Sequence, residues 1–198
     1  MQSKLQGARG SIRLTLILGG LILGIGAAGY YYYADSRAKI RKEVAGDLAS
    51  IAKEKANLVS AWRNERIGDA SATAASAVVM PAVKNLLEGH GTPAERVILV
   101  AWLEALRANY GYAHLSLADL EGRPLVEVGT ADASRTQLAA AANEAASSPA
   151  PVFRDFDVSE SHQSPHVGVS AALRLAPGGP VRGVLLMEMD PETRLIPL

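Results

Sequence analysis

Two of the chain's four histidines, His162 and His166, stand four residues apart, the spacing at which one helix would aim two imidazoles at one metal ion. The intervening run, Gln-Ser-Pro, contains Pro165 and turn-formers, so the pair belongs to a loop, and no trio of acids lies beside it. No metal site is expected. Gly168, Val169 and Ser170 begin like a nucleophile elbow, but the closing glycine is missing and the segment alternates like a strand instead of leading into a helix. The chain has no cysteine, which excludes disulfides, thiolate catalysis and cysteine-bound zinc, and it shows no phosphate loop, dinucleotide fingerprint or HExxH motif. An enzyme is not expected, nor a cofactor.

The polar residues that remain are arranged by strand periodicity. Around His114, Tyr112, His114 and Ser116 alternate with Ala113, Leu115 and Leu117; further on, His166, Gly168, Ser170 and Arg174 alternate with Val167, Val169, Ala171 and Leu173. One sheet face is therefore apolar and the other polar. If the strands share a sheet, Tyr112, His114, His166 and Ser170, joined by Arg154, converge on a small polar or anionic ligand, with arginine and a carboxylate as the natural pairing. The competing expectation is that the polar face meets solvent and Arg154 pairs with Asp155 or Asp157.

Several elements must position these residues. From Leu14 to Ala34, "LTLILGGLILGIGAAGYYYYA", there is no charge. About twenty helical residues cross a hydrocarbon layer of about 30 Å. Tyr30 to Tyr33 suit the headgroup boundary, and Arg37, Lys39, Arg41 and Lys42 follow directly. A cleaved signal peptide would have a shorter apolar stretch. The reading is a cytoplasmic tail (1–13), a transmembrane helix (14–34), a stalk that becomes the first helix of a sensor (35–70), a domain (71–190) and the start of an exit helix (191–198). The positive charges flanking the span do not decide orientation, and the short amino-terminal tail favours an exported body on a single-pass anchor in the cytoplasmic membrane.

Only three of the 20 basic residues precede residue 35, leaving 17 against all 20 acidic ones, a balance that does not suggest nucleic-acid binding. The first proline is Pro81, so a helix can continue past the membrane. Val44, Leu48, Ile51, Lys55, Leu58 and Trp62 recur at steps of four and three, a heptad seam broken by Lys55 that predicts a parallel stalk between two subunits, with Trp62 packed on the domain. A second helix is expected over 70–87 and a third from a Thr92-Pro-Ala-Glu95 capping box to Asn109. Then come a hairpin, 112–118 and 123–128, an alanine-rich helix, 133–146, and strands at 152–156, 167–175 and 181–189. The class is α+β, with a mostly antiparallel sheet of about five strands and one helical crossover.

Taken in order, these segments resemble a known family. "IAKEKANLVSAWRNERIGDA", with Lys55, Trp62, Glu65, Arg66 and Asp69, is similar to the long first helix of extracytoplasmic PAS-like sensor domains of the Cache type, found on bacterial histidine kinases, diguanylate cyclases and chemoreceptors. "YGYAHLSLADLEGRPLVEVG" resembles their first hairpin, "PVFRDFDVSESHQSPHVGVSAAL" their Phe-x-Asp segment and following strand, and "VRGVLLMEMDPETRLIPL" their closing strand and Asp-Pro exit. The resemblance implies a membrane-anchored sensor whose sheet and crossover enclose a small-molecule pocket, dimerised through its stalk, as the front part of a receptor. The aromatic, arginine and aspartate pattern of the amino-acid-binding members is not matched, so no ligand identity is implied. The alternative is a membrane-tethered accessory protein without a small-molecule ligand.

Overall fold

A computed structural model describes residues 3–130, 134–158, 165–176 and 178–194. The chain divides into two units, Met1–Lys55 and Ala56–Leu198.

The first unit is helical and belongs to α1 (Ser3–Ala74). It contains a stretch long and apolar enough to cross a membrane. Ile17, Leu21, Ile25 and Tyr30 to Tyr33 are exposed, as are Val44, Leu48 and Ile51 of the heptad seam.

The second unit holds the end of α1, then α2 (Met80–Leu87), α3 (Pro93–Tyr110), β1 (His114–Asp119), β2 (Pro124–Gly129), α4 (Arg135–Ser147), β3 (Val152–Val158), β4 (Pro165–Arg174), β5 (Val181–Met189) and the short α5 (Pro191–Arg194). The expected helix over 70–87 is corrected: α1 continues to Ala74, and a turn separates it from α2. Pro81 explains the break. Inside a continuous helix its ring would strike the carbonyl four residues back, whereas in the first turn of a new helix it is tolerated.

Local chemistry sets the other boundaries. Thr92 Oγ1 accepts from the Glu95 N–H at 3.2 Å and the Glu95 carboxylate accepts from the Thr92 N–H at 2.8 Å, the reciprocal pair that the sequence predicts for the start of α3. Gly111 ends α3 at φ 69°, the left-handed conformation that costs glycine least. Asp119 Oδ1 accepts from the N–H groups of Glu121 and Arg123 at 3.0 and 2.8 Å, closing the β1–β2 turn. Gly122 in that turn, at φ 73°, leaves room for α4, since a Cβ there would lie 2.3 Å from the Arg135 carbonyl oxygen.

All five strands form one antiparallel sheet in the order β2-β1-β5-β4-β3. The chain leaves one edge at β2 and re-enters at the other edge through α4, the expected helical crossover. One sheet face, carrying Leu115, Leu117, Val126, Val169, Leu185 and Met187, packs on Ala70, Val83, Leu86, Leu99 and Leu103 of α1 to α3. On the opposite face Leu138, Ala141, Ala142 and Ala145 of α4 cover Ala118, Val184 and Leu186. Trp62 joins the larger core from its rim and meets Phe153 edge to face at 5.8 Å between ring centres.

Candidate functional site

Strand register sorts the predicted residues. On the α4 face, His114 lies opposite Glu188, Glu188 opposite Gly168 and Gly168 opposite Arg154, forming one row across four strands. The adjacent row runs Glu127, Ser116, Leu186, Ser170 and Val152. The next row, Ala118, Val184 and Ala172, is apolar and lies under α4. The polar face is therefore polar only towards one end of the sheet.

The centre of the face is shielded from solvent, while Glu127, Arg154, His166 and Glu188 around it are partly exposed. His114 is 1% exposed and Ser116 and Ser170 are 0% exposed. His114 Nδ1 lies 2.9 Å from Glu188 Oε2, and Nε2 lies 3.6 Å from Glu127 Oε1, so the imidazole stands between two carboxylates. The Nδ1 hydrogen donates to the Glu188 carboxylate, which can only accept. His114 Nε2, Ser116 Oγ and Ser170 Oγ have no hydrogen-bond partner among the described residues. A buried hydroxyl left unpaired costs about 1–3 kcal/mol, and this face holds two of them in one row beside an imidazole nitrogen. Ser116 and Ser170 flank Leu186, which places them about 10 Å apart, two strand spacings. In the first row Gly168 supplies no side chain, and an added Cβ there would sit 3.2 Å from the Met187 carbonyl oxygen and 3.6 Å from Glu188 Cγ.

Arg154 shares this face. Its Nη1 donates to Glu144 Oε2 at 2.9 Å, tying β3 to α4. His166 occupies the first part of β4, opposite Asp157, one row beyond Arg154. His162 lies outside the described residues.

Tyr112 is the residue that the alternation misplaces. It precedes β1 and packs in the larger core, on the side of α1. Its hydroxyl reaches Asp69 Oδ2 at 3.4 Å, and the Arg66 guanidinium, bonded to Asp69 at 2.9 Å and Glu65 at 2.7 Å, lies 5.8 Å from its ring centre. Burial, offset in part by Arg66, pushes the phenol up to about 12. Glu65, Arg66 and Asp69, part of the family-like pattern, thus fasten α1 to the start of the sheet. Glu127 and Glu188 are the residues that sequence reasoning passed over. The signal was there, since Glu188 interrupts the apolar run from Val184 to Met189 at a position of polar-face parity.

Two clefts in the same unit are lined by other residues. One, of about 710 Å³, lies beside Ala75, Pro149 and Ala172, and the other, of about 510 Å³, beside His90, Glu121 and Arg182.

No protein-family model matches the chain, and no curated protein matches it. Solved structures do. The sensor domain of the Vibrio cholerae histidine kinase DctB superposes with a TM-score of 0.54 at 13% identity, over 70% of this chain and 53% of that one. The ligand-binding domain of the Pseudomonas fluorescens chemoreceptor CtaA, in complex with L-serine, gives 0.52 at 16% identity over 77% and 62%, and its complex with L-isoleucine 0.50 at 17% over 80% and 61%. The chain thus spans between 53 and 62% of the length of these domains. The chain has the fold of the extracytoplasmic PAS-like, Cache-type sensor domains of bacterial membrane receptors.

Proposed function

We propose that this chain is the membrane-anchored sensing part of a signalling receptor, and that it binds a small polar metabolite on the α4 face of its sheet. The observation that carries this reading is the pair of buried hydroxyls without a partner, Ser116 Oγ and Ser170 Oγ, beside His114 Nε2, which makes no hydrogen bond, on the face where Glu188 and Arg154 also lie. A ligand with hydrogen-bonding groups would satisfy them. Arg154 and His166 suit a carboxylate, while Glu127 and Glu188 favour a ligand that also carries an amine, so amino acids and related acids are the first class to test. The CtaA domain that shares this fold holds L-serine. The body lies outside the cytoplasm on a single amino-terminal span, and the exposed seam through Val44, Leu48 and Ile51 pairs two stalks.

The full chain in lipid nanodiscs is screened by thermal shift against amino acids and organic acids. A ligand at saturating concentration should raise stability by about 2–4 kcal/mol through mass action, and Ser170→Ala or Arg154→Ala should abolish the shift. Absence of any shift in the wild-type chain would instead support a tethered accessory protein. The stalk is tested separately: cysteines at Leu48 or Ile51 should cross-link faster in membranes than cysteines at Ala49 or Lys53. Equal rates at all four positions would remove the parallel pairing.

A further inference from the structure

The larger of the two clefts has a definable cause. β3 pairs with β4 as far as Val152 opposite Ser170, so β4 continues from Ala171 to Arg174 with no strand on that side. The residue that would extend the ladder, Ala150, has both backbone groups turned elsewhere: its N–H donates to Ser148 Oγ at 3.3 Å and its carbonyl accepts from the same hydroxyl at 2.6 Å. Pro149 and Pro151 on either side have no N–H to contribute. The ladder therefore stops, and the last turn of α1, the start of α2 and the loop after α4 leave a cleft of about 710 Å³ beside the open edge.

Its walls are mostly small and apolar, Ala74, Ala75, Ala77, Met80, Pro149 and Pro151 among them. No acidic side chain lines it, and its two charged residues, Lys84 and Arg174, are both cationic. Neither has a carboxylate partner among the described residues. Arg174 Nη1 donates to the Gly179 carbonyl at 2.7 Å, which fixes the guanidinium and leaves its other N–H groups free of that bond. Cations beside an apolar wall that no protein carboxylate neutralises favour an anion, and the volume falls within the range of about 300–1,000 Å³ typical of small-molecule sites.

We propose that this cleft is a second ligand site, separate from the polar face, that takes an amphiphilic carboxylate: an apolar chain against the alanine and proline walls and a carboxylate between Lys84 and Arg174. The α1 end contributes Ser71, Ala74 and Ala75 to the lining, so an occupant would touch the last turn of the long helix.

The test uses the full chain in nanodiscs, titrated calorimetrically with hexanoate, hexanol and hexylammonium, all short enough to remain largely in water. Hexanoate should bind at least about tenfold tighter than either other probe. Lys84→Gln should weaken it about tenfold and the Lys84→Gln/Arg174→Gln pair further. Ala75→Trp, which fills the cleft from an exposed position, should abolish binding without altering the melting temperature, and Ser170→Ala on the polar face should leave hexanoate affinity unchanged. Lys84 is exposed, so its variant remains informative even if Arg174→Gln disturbs the β4–β5 turn. The proposal is overturned if hexanoate does not bind at about 10 mM, if hexanol binds equally well, or if binding survives Ala75→Trp. Loss of hexanoate binding in Ser170→Ala would place the ligand on the polar face and overturn it as well.

Discussion

The two faces of the sheet are built from the same strands, yet they differ in kind. Towards α1 to α3, alternate residues are Leu, Val and Met, and the polar side chains at the border, Arg66, Asp69 and Tyr112, are bonded to one another, with Arg66 Nε alone left without a partner among the described residues. Towards α4, apolar contacts cover one end only, and the remaining rows hold a histidine between two glutamates and two serines without partners. The first face is built for stability. The second leaves polar groups unsatisfied in a buried setting, a state that costs free energy unless something else supplies the missing hydrogen bonds. This contrast is the reason the ligand site is proposed on the α4 face.

The comparison is sharpest where a core side chain is truncated. Leu185 is fully buried on the α1–α3 face, and Leu185→Ala should destabilise the domain by about 2–5 kcal/mol, measured by chemical unfolding. A loss well under 1 kcal/mol would show that this face is not the tightly packed one.

Alkaline titration probes the border of the same face. Tyr112 has a folded pKa pushed up to about 12 from 10.0, chiefly by burial. A phenol whose folded pKa exceeds its unfolded one favours folding fully below pH 10 and loses that contribution as pH rises towards 12. Stability should therefore fall across that window by at most about 3 kcal/mol, and Tyr112→Phe should flatten the decline. An identical decline in the variant would assign it to other groups.

On the α4 face the sign reverses. Ser116→Ala deletes a buried hydroxyl that has no partner, so the ligand-free protein should gain about 1 kcal/mol, read as a higher melting temperature. A clear loss of stability would mean that the hydroxyl is already satisfied, and the distinction between the two faces would weaken.

Much of the frame was readable from residue order. The Thr92–Glu95 box, the Gly111 stop, the hairpin at Asp119 to Gly122 and the strand at Val181 to Met189 each rest on neighbours within a few positions, and each is found close to where the pattern puts it. Other boundaries escaped because they rest on choices between local options. The Ser134–Gln137 capping box starts α4 two residues later than the alanine run suggests, and α1 outlasts its expected end because only Pro81, not Ala70, interrupts helical bonding.

The site was legible in part. Period-two alternation does place His114, Ser116, Gly168 and Ser170 on one face, since that relation follows from the pleat alone. It failed for Tyr112, which lies just before β1, where the pleat does not yet hold and Arg66 and Asp69 of α1 capture the hydroxyl and ring.

What the sequence by itself determined, then, is the set of elements, the membrane-length apolar helix and the polarity of each strand face, because these depend on interactions among residues a few positions apart. The tertiary structure alone decided that Glu188 and Glu127 bracket His114, that Arg154 reaches Glu144 and that α4 shuts solvent away from two serines. Those relations join residues as far apart as positions 114 and 188. Strand order and register bring them together, and no local pattern along the chain encodes either.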